Sequence, residues 1–170
     1  MRNLQVVVIG DAQANKDKYE FCEQLGNFLA EHDFTVITGG RTGIMEAVSK
    51  GAYLAGGMTI GILPSTNLRD ANPWCKAVIP TGLGHTRNSL TALAADIIIS
   101  IGGKAGTLTE LGFAWIYNKP IISVTTFGGW SERLSGQEID ERRPDNIIAV
   151  DSMNELKIEV ERIANTLKKG

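Results

Sequence analysis

The chain has 170 residues, a formal net charge of −2, and 43% apolar against 21% charged residues. These are globular values, which exclude intrinsic disorder and a protein whose main task is neutralising a nucleic-acid backbone. The length fits one domain over residues 1–170 with a self-sufficient core, and no apolar run reaches the roughly 18 residues of a membrane span.

Residues 6–9, Val-Val-Val-Ile, form a short β-branched run ended by Gly10, which predicts a buried central strand. The run behind Met1-Arg2-Asn3 is too short for a signal peptide, so the expected setting is the cytoplasm. From Lys16 the period changes, and Cys22, Leu25 and Leu29 fall at helical spacing. Residues 34–37 read as a second strand closed by Thr38-Gly39-Gly40. A helix carrying Ile44, Val48 and Leu54 follows, from about Gly43 to Gly56-Gly57. Residues 58–63 are a third strand stopped by Pro64, and after a polar interruption over 65–73 a fourth is expected at 76–79. Cys75 precedes it, far from Cys22, and the two show no metal-ligand spacing.

A helix is predicted over 86–95, and residues 96–101, Asp-Ile-Ile-Ile-Ser-Ile, make the strongest strand of the chain. It runs into Gly102-Gly103-Lys104-Ala105-Gly106-Thr107 and a helix carrying Leu108, Leu111, Trp115 and Ile116. Residues 121–124 form the next strand. The polar, charged stretch 128–144 reads as a mobile excursion. Residues 146–150 are the last strand, and Ser152-x-x-Glu155 makes a capping box for a final helix with Leu156, Val160, Ile163 and Leu167 on one face. Alternating strands and helices with continuous apolar strands predict an α/β fold of three layers, a parallel sheet of about seven strands covered by helices on both faces.

Glycine accounts for 19 residues, well above the roughly 7% of average proteins. The clusters at Gly10, Gly39-Gly40 and Gly102-Gly103 each follow a predicted strand, so they should crowd the carboxyl edge of the sheet, where ligands bind in such folds. A strand ending in glycines that opens into a helix aims free N–H groups and the positive end of the helix dipole at one spot, which suits phosphate. Gly102-Gly103-x-x-Gly106-Thr107 has that form, Thr107 adds a hydroxyl, and no acid is expected ahead of the turn. The segment matches neither the P-loop nor the dinucleotide fingerprint. Glu110 has two readings: Thr107-x-x-Glu110 is itself a capping-box pattern, or the carboxylate lies one helical turn inside a phosphate loop, within reach of the attached sugar. Arg87 is either a solvated helix residue or an anion clamp, and His85 beside it suits loop packing.

The segment from Gly102 to Glu110 resembles the glycine-glycine-x-glycine-threonine-x-x-glutamate signature of the LONELY GUY family, long described as lysine decarboxylase-like. It has one more residue between the paired glycines and Gly106. Thr38-Gly39-Gly40-Arg41-Thr42-Gly43-Ile44-Met45 is similar to that family's second glycine loop, and Thr86-Arg87-Asn88 falls at its arginine motif. Gly61-Ile62-Leu63-Pro64, Ala71-Asn72-Pro73 and Pro80-Thr81-Gly82-Leu83-Gly84 look like the branch that includes the molybdenum cofactor carrier proteins.

The resemblance implies a Rossmann-like nucleotide-binding domain. Arg87 and Glu110 would be its catalytic pair, and Gly39, Gly40, Thr42, Gly43, Gly102, Gly103, Gly106 and Thr107 would hold a phosphate or nucleotide. The implied reaction is cleavage of the N-glycosidic bond of a nucleoside 5′-monophosphate, with no metal and no required cofactor. The alternative is a carrier or sensor holding a nucleotide or molybdenum cofactor without turnover. The implied partners are a small phosphorylated ligand and a second copy of the chain in a homodimer or larger homo-oligomer, with neither nucleic acid nor membrane.

Overall fold

The computed structural model describes residues 2–169. Its strands are β1 (Gln5–Gly10), β2 (Thr35–Thr38), β3 (Thr59–Leu63), β4 (Ala77–Pro80), β5 (Ile97–Ile101), β6 (Ile121–Val124) and β7 (Ile148–Val150). The helices are α1 (Lys16–Glu31), α2 (Ile44–Leu54), α3 (Asn88–Leu93), α4 (Ala105–Ile116), α5 (Gly129–Leu134) and α6 (Met153–Leu167). All seven strands are parallel, in the order β4-β3-β2-β1-β5-β6-β7. The order reverses between β1 and β5, and the crevice beyond their carboxyl ends is where an open α/β sheet accepts a ligand.

The alternation of side chains along each strand divides the core into two layers. Val6 and Val8 of β1 and Ile97, Ile99 and Ile101 of β5 pack with α1, α2 and α6. Val7 and Ile9 with Ile98 face the other way, against Ala92, Leu111, Ala114 and Trp115 of α3 and α4. The predicted strands all occur, displaced by one or two residues at their ends. The helix expected over 86–95 is instead a 3-10 turn, Gly84–Arg87, running into the short α3.

Two expectations need correction. The stretch 128–144 is a built segment rather than a mobile excursion. Its helix α5 places Trp130 and Leu134 against the core, and Ser131 is fully buried. Further along, Asp140 accepts a 2.8 Å hydrogen bond from the Trp115 indole, and Arg143 pairs with Asp145 while lying over the Trp115 ring. The second correction concerns Thr107-x-x-Glu110, which is not a capping box. Helix α4 begins at Ala105 behind Lys104, which makes no side-chain cap, so Thr107 is already the third helical residue. A true side-chain cap occurs at α6, where the Ser152 hydroxyl accepts from Glu155 N–H at 3.3 Å and the Glu155 carboxylate accepts from Asp151 N–H at 3.0 Å.

Candidate functional site

The loops after β1, β2 and β5 meet, as their glycines predict. A cavity of about 650 Å³ opens among them, lined by residues that include Gly10, Asp11, Gly39, Arg41, Thr42, Met45, His85, Arg87, Lys104, Gly106, Thr107 and Glu110. Gly40, Gly43, Gly102 and Gly103 are not in its lining and shape it from behind. Gly40 packs on Gly61 and Leu63, Gly43 on the backbone of Asp11 and Ala12. Asn72, in the phrase Ala71-Asn72-Pro73, donates from its amide to the Arg41 carbonyl at 2.9 Å and its backbone N–H to the Gly40 carbonyl at 2.8 Å, fixing the second glycine loop.

Gly102 and Gly103 turn the chain sharply from β5 into α4, at φ of 65° and 99°, a region open mainly to glycine. Their carbonyls are tied off behind the loop. Ser131 N–H and hydroxyl donate to the Gly102 carbonyl at 3.0 and 2.7 Å, and Trp130 N–H donates to the Gly103 carbonyl at 3.1 Å. On the helix side, the first-turn bond runs from Leu108 N–H to the Lys104 carbonyl. The N–H groups of Ala105, Gly106 and Thr107 therefore have no intrahelical acceptor. The buried Asn88 donates to the Gly106 carbonyl at 3.3 Å and to the Thr109 hydroxyl at 2.8 Å, which fixes this turn against the Arg87 segment. Gly106 itself has ordinary helical backbone, and a Cβ there would meet nothing closer than 3.8 Å. A helical glycine costs about 1 kcal/mol relative to alanine, and no neighbour within the chain requires this one.

Arg87 and Glu110 are brought together as expected, Nη1 to Oε1 at 3.7 Å and exposed by only 8% and 7%. The separation is an ion pair beyond hydrogen-bond length. Burial pushes the Glu110 carboxyl up to about 7, with Arg87 opposing the rise. Burial also lowers the Arg87 guanidinium from its ordinary value, Glu110 opposing and Arg41 adding to the shift. Arg87 spends little of its donor capacity within the chain: Nη1 reaches the Thr91 hydroxyl at 3.2 Å, Nη2 the Gly39 carbonyl at 3.5 Å, and the buried Nε has no partner. Such a fork suits an oxyanion or a sugar hydroxyl.

Asp11 is not among the expected site residues, and it overturns the expectation of no acid ahead of the turn. Asp11 stands in the cavity wall with its carboxylate bonded to Lys18 at 2.5 Å. Its position directly after Gly10 was a visible signal, whereas its neighbours come from distant parts of the chain. Arg41, Met45 and Lys104 also join the lining, Arg41 from the second glycine loop and Met45 from the first turn of α2.

The model of the SLOG cluster4 family matches residues 3–157. The solved structure of TM1055 superposes with a TM-score of 0.86 at 33% identity, covering 94% of this chain and 99% of that one. The molybdenum cofactor binding protein of the phototrophic bacterium Rippkaea orientalis gives a TM-score of 0.81 at 31% identity, covering 96% and 99%. The cytokinin riboside 5′-monophosphate phosphoribohydrolase of Mycobacterium tuberculosis is 29% identical over 64% of this chain, which spans 63% of that protein's length.

Proposed function

We propose, starting from the fact that the chain belongs to the SLOG cluster4 family, that its cavity binds a nucleoside 5′-monophosphate and hydrolyses the N-glycosidic bond. The observation that carries this reading is the buried Arg87–Glu110 pair beside the open first turn of α4. The phosphate sits on the Ala105, Gly106 and Thr107 N–H groups and the Thr107 hydroxyl, where the helix dipole favours an anion. Arg87 fixes the ribose or a phosphate oxygen through its unspent donors. Glu110 is one turn further into the same helix, so its carboxylate lies toward the sugar.

As the C1′–N bond breaks, its electron pair leaves with the base and positive charge grows on the ribose. Ionised Glu110 stabilises that charge and orients a water molecule. The water oxygen bonds C1′ and one of its protons is passed to the departing base, giving free base and ribose 5-phosphate. A carboxyl near pH 7 is poised for such proton traffic at neutral pH.

A second reading has its own support. The match to the molybdenum cofactor binding protein runs from end to end, whereas the hydrolase match covers 63% of that protein. In that reading the α4 turn holds the phosphate of a pterin cargo and Glu110 makes no chemical step. We extend the proposal to a homodimer formed through the outer face of α3 and α4. Apart from the buried Glu110 those helices carry no charged side chain, and they expose Leu90, Leu93 and Ile116, with Tyr117 just past the end of α4. Gly112 of α4 has open space around its Cβ position, which leaves room for close approach of another backbone. Both cysteines are free, which fits a reducing compartment such as the cytoplasm.

The test is release of base from adenosine monophosphate and other nucleoside monophosphates by wild type and Glu110→Gln. The hydrolase reading expects release by wild type, reduced by roughly two to three powers of ten in the variant, with binding retained. Binding without release leaves the carrier. Light scattering of Leu93→Glu with Ile116→Glu should show monomers where wild type shows dimers.

A further inference from the structure

The cavity is not uniformly suited to anions. Arg41, Arg87, Lys104 and the first turn of α4 line it, and so does Asp11, an acid. An acid placed there repels phosphate, so it must meet a part of the ligand that donates hydrogen bonds.

The position of Asp11 is closely fixed. Gly10 ends β1 at the reversal of strand order, and the Asp11 carbonyl accepts from Ile44 N–H at 3.1 Å, tying the loop to the start of α2. Lys18 of α1 donates to Oδ2 at 2.5 Å, and both side chains are mostly buried. Among the described residues no donor reaches Oδ1. The carboxylate lies against Gly102: a Cβ there would sit 2.2 Å from Asp11 Oδ2, while a Cβ on the next residue, Gly103, would sit 2.4 Å from the Thr107 hydroxyl. Adjacent Cα atoms are about 3.8 Å apart. The Asp11 carboxylate and the helix-terminal phosphate site therefore flank one short stretch of backbone, a spacing that suits a 5′-phosphate and the hydroxyls of the ribose attached to it.

Resting on the nucleotide reading above, we propose that Asp11 accepts hydrogen bonds from the ribose hydroxyls and makes the cavity selective for ribonucleotides with a free 2′,3′-diol. Lys18 holds the carboxylate by one oxygen and leaves the other for the ligand. The same charge excludes a phosphate at the 2′ or 3′ position by repulsion, as acidic residues that read ribose do at other nucleotide sites. Glu110 and Asp11 then divide the sugar between them, Glu110 toward C1′ and Asp11 toward the diol.

The experiment is calorimetric titration of wild type and Asp11→Asn with adenosine monophosphate, its 2′-deoxy and 3′-deoxy analogues, and adenosine 2′,5′-bisphosphate. A hydrogen bond to a charged group corresponds to about ten- to hundredfold in affinity. Wild type should lose that much with at least one deoxy analogue and should reject the bisphosphate. Asp11→Asn should bind adenosine monophosphate more weakly, discriminate less among the deoxy analogues, and accept the bisphosphate. Equal affinity of wild type for all three monophosphates overturns the proposal even where the variant does not fold. Unchanged discrimination in a folded Asp11→Asn overturns it while leaving nucleotide binding intact. Failure of wild type to bind adenosine monophosphate at all overturns both this proposal and the nucleotide reading.

Discussion

Replacing Glu110 by glutamine separates what burial of this carboxyl costs from what it does. Its pKa rises from 4.5 to about 7 on folding, burial being the larger cause and Arg87 opposing it. Between those values the native state holds a proton that the unfolded state has released. Stability therefore falls as pH rises through the window, and the loss is complete above about pH 7. At about 1.4 kcal/mol per pH unit, the rise from 4.5 to about 7 corresponds to about 3 kcal/mol. Glutamine keeps the shape and cannot ionise. At low pH both proteins present a neutral side chain to Arg87, so their stabilities should be similar there. By about pH 8 Glu110→Gln should be the more stable by up to about 3 kcal/mol. Urea denaturation of both proteins from about pH 4 to about pH 8 reads this difference directly. Parallel curves would show that the carboxyl titrates normally. A variant that loses ground as pH rises would show that the Arg87 ion pair outweighs burial.

Other substitutions test the frame of the site. Gly106→Ala meets nothing within 3.8 Å, so thermal unfolding should show unchanged or slightly raised stability, by up to about 1 kcal/mol, while calorimetry with inorganic phosphate shows weaker binding. Gly129→Ala places a Cβ 2.5 Å from the Gly102 carbonyl carbon at a φ of 68° and should destabilise by about 2 kcal/mol or more; a neutral result in denaturation would mean that α5 does not brace the glycine loop. Asn88→Asp removes the donor to the Gly106 carbonyl and the Thr109 hydroxyl. It should cost about 1–3 kcal/mol in a urea titration and weaken phosphate binding with it.

Much of this architecture is legible along the chain because parallel strands buried on both faces read as unbroken apolar runs. Residues 97–101 are the clearest case, and the glycines behind β1, β2 and β5 mark the carboxyl edge without further information. Helix α5 is hidden for the opposite reason. Only Trp130 and Leu134 pack apolar surface from it, and its anchors are bonds from Ser131 and Trp130 to Gly102 and Gly103, which no local pattern reports. The capping pattern at Thr107 misleads because the first turn is set by the loop that feeds it. Helix α4 starts three residues earlier than that pattern requires, and Glu110 lies beside Arg87. Asp11 is visible as a residue but not as a site, since Lys18 and Gly102 reach it only through the fold.

Three features that local rules would remove gather around α4, while the unpartnered buried hydroxyls of Ser65 and Ser123 lie elsewhere. Glu110 is buried at the expense of its ionised form, the Nε of Arg87 is buried without a partner, and Gly106 occupies a helical position where alanine would fit. Each is a local loss of stability, on the order of 1–3 kcal/mol, offset only in part, for Glu110, by its ion pair with Arg87. Gly112 repeats the pattern on the outer face of the same helix, with open space where a side chain would be. Sequences that specify a fold keep such conflicts where function requires them. The inner three converge on one cavity and share a single remedy, a ligand that brings an oxyanion to the helix end and hydroxyls to the guanidinium. In the proposed homodimer the outer one leaves room for another backbone. Helix α4 therefore joins the ligand site to the proposed subunit interface, so a substitution at Gly112 that blocks dimer formation should also be felt at the phosphate turn.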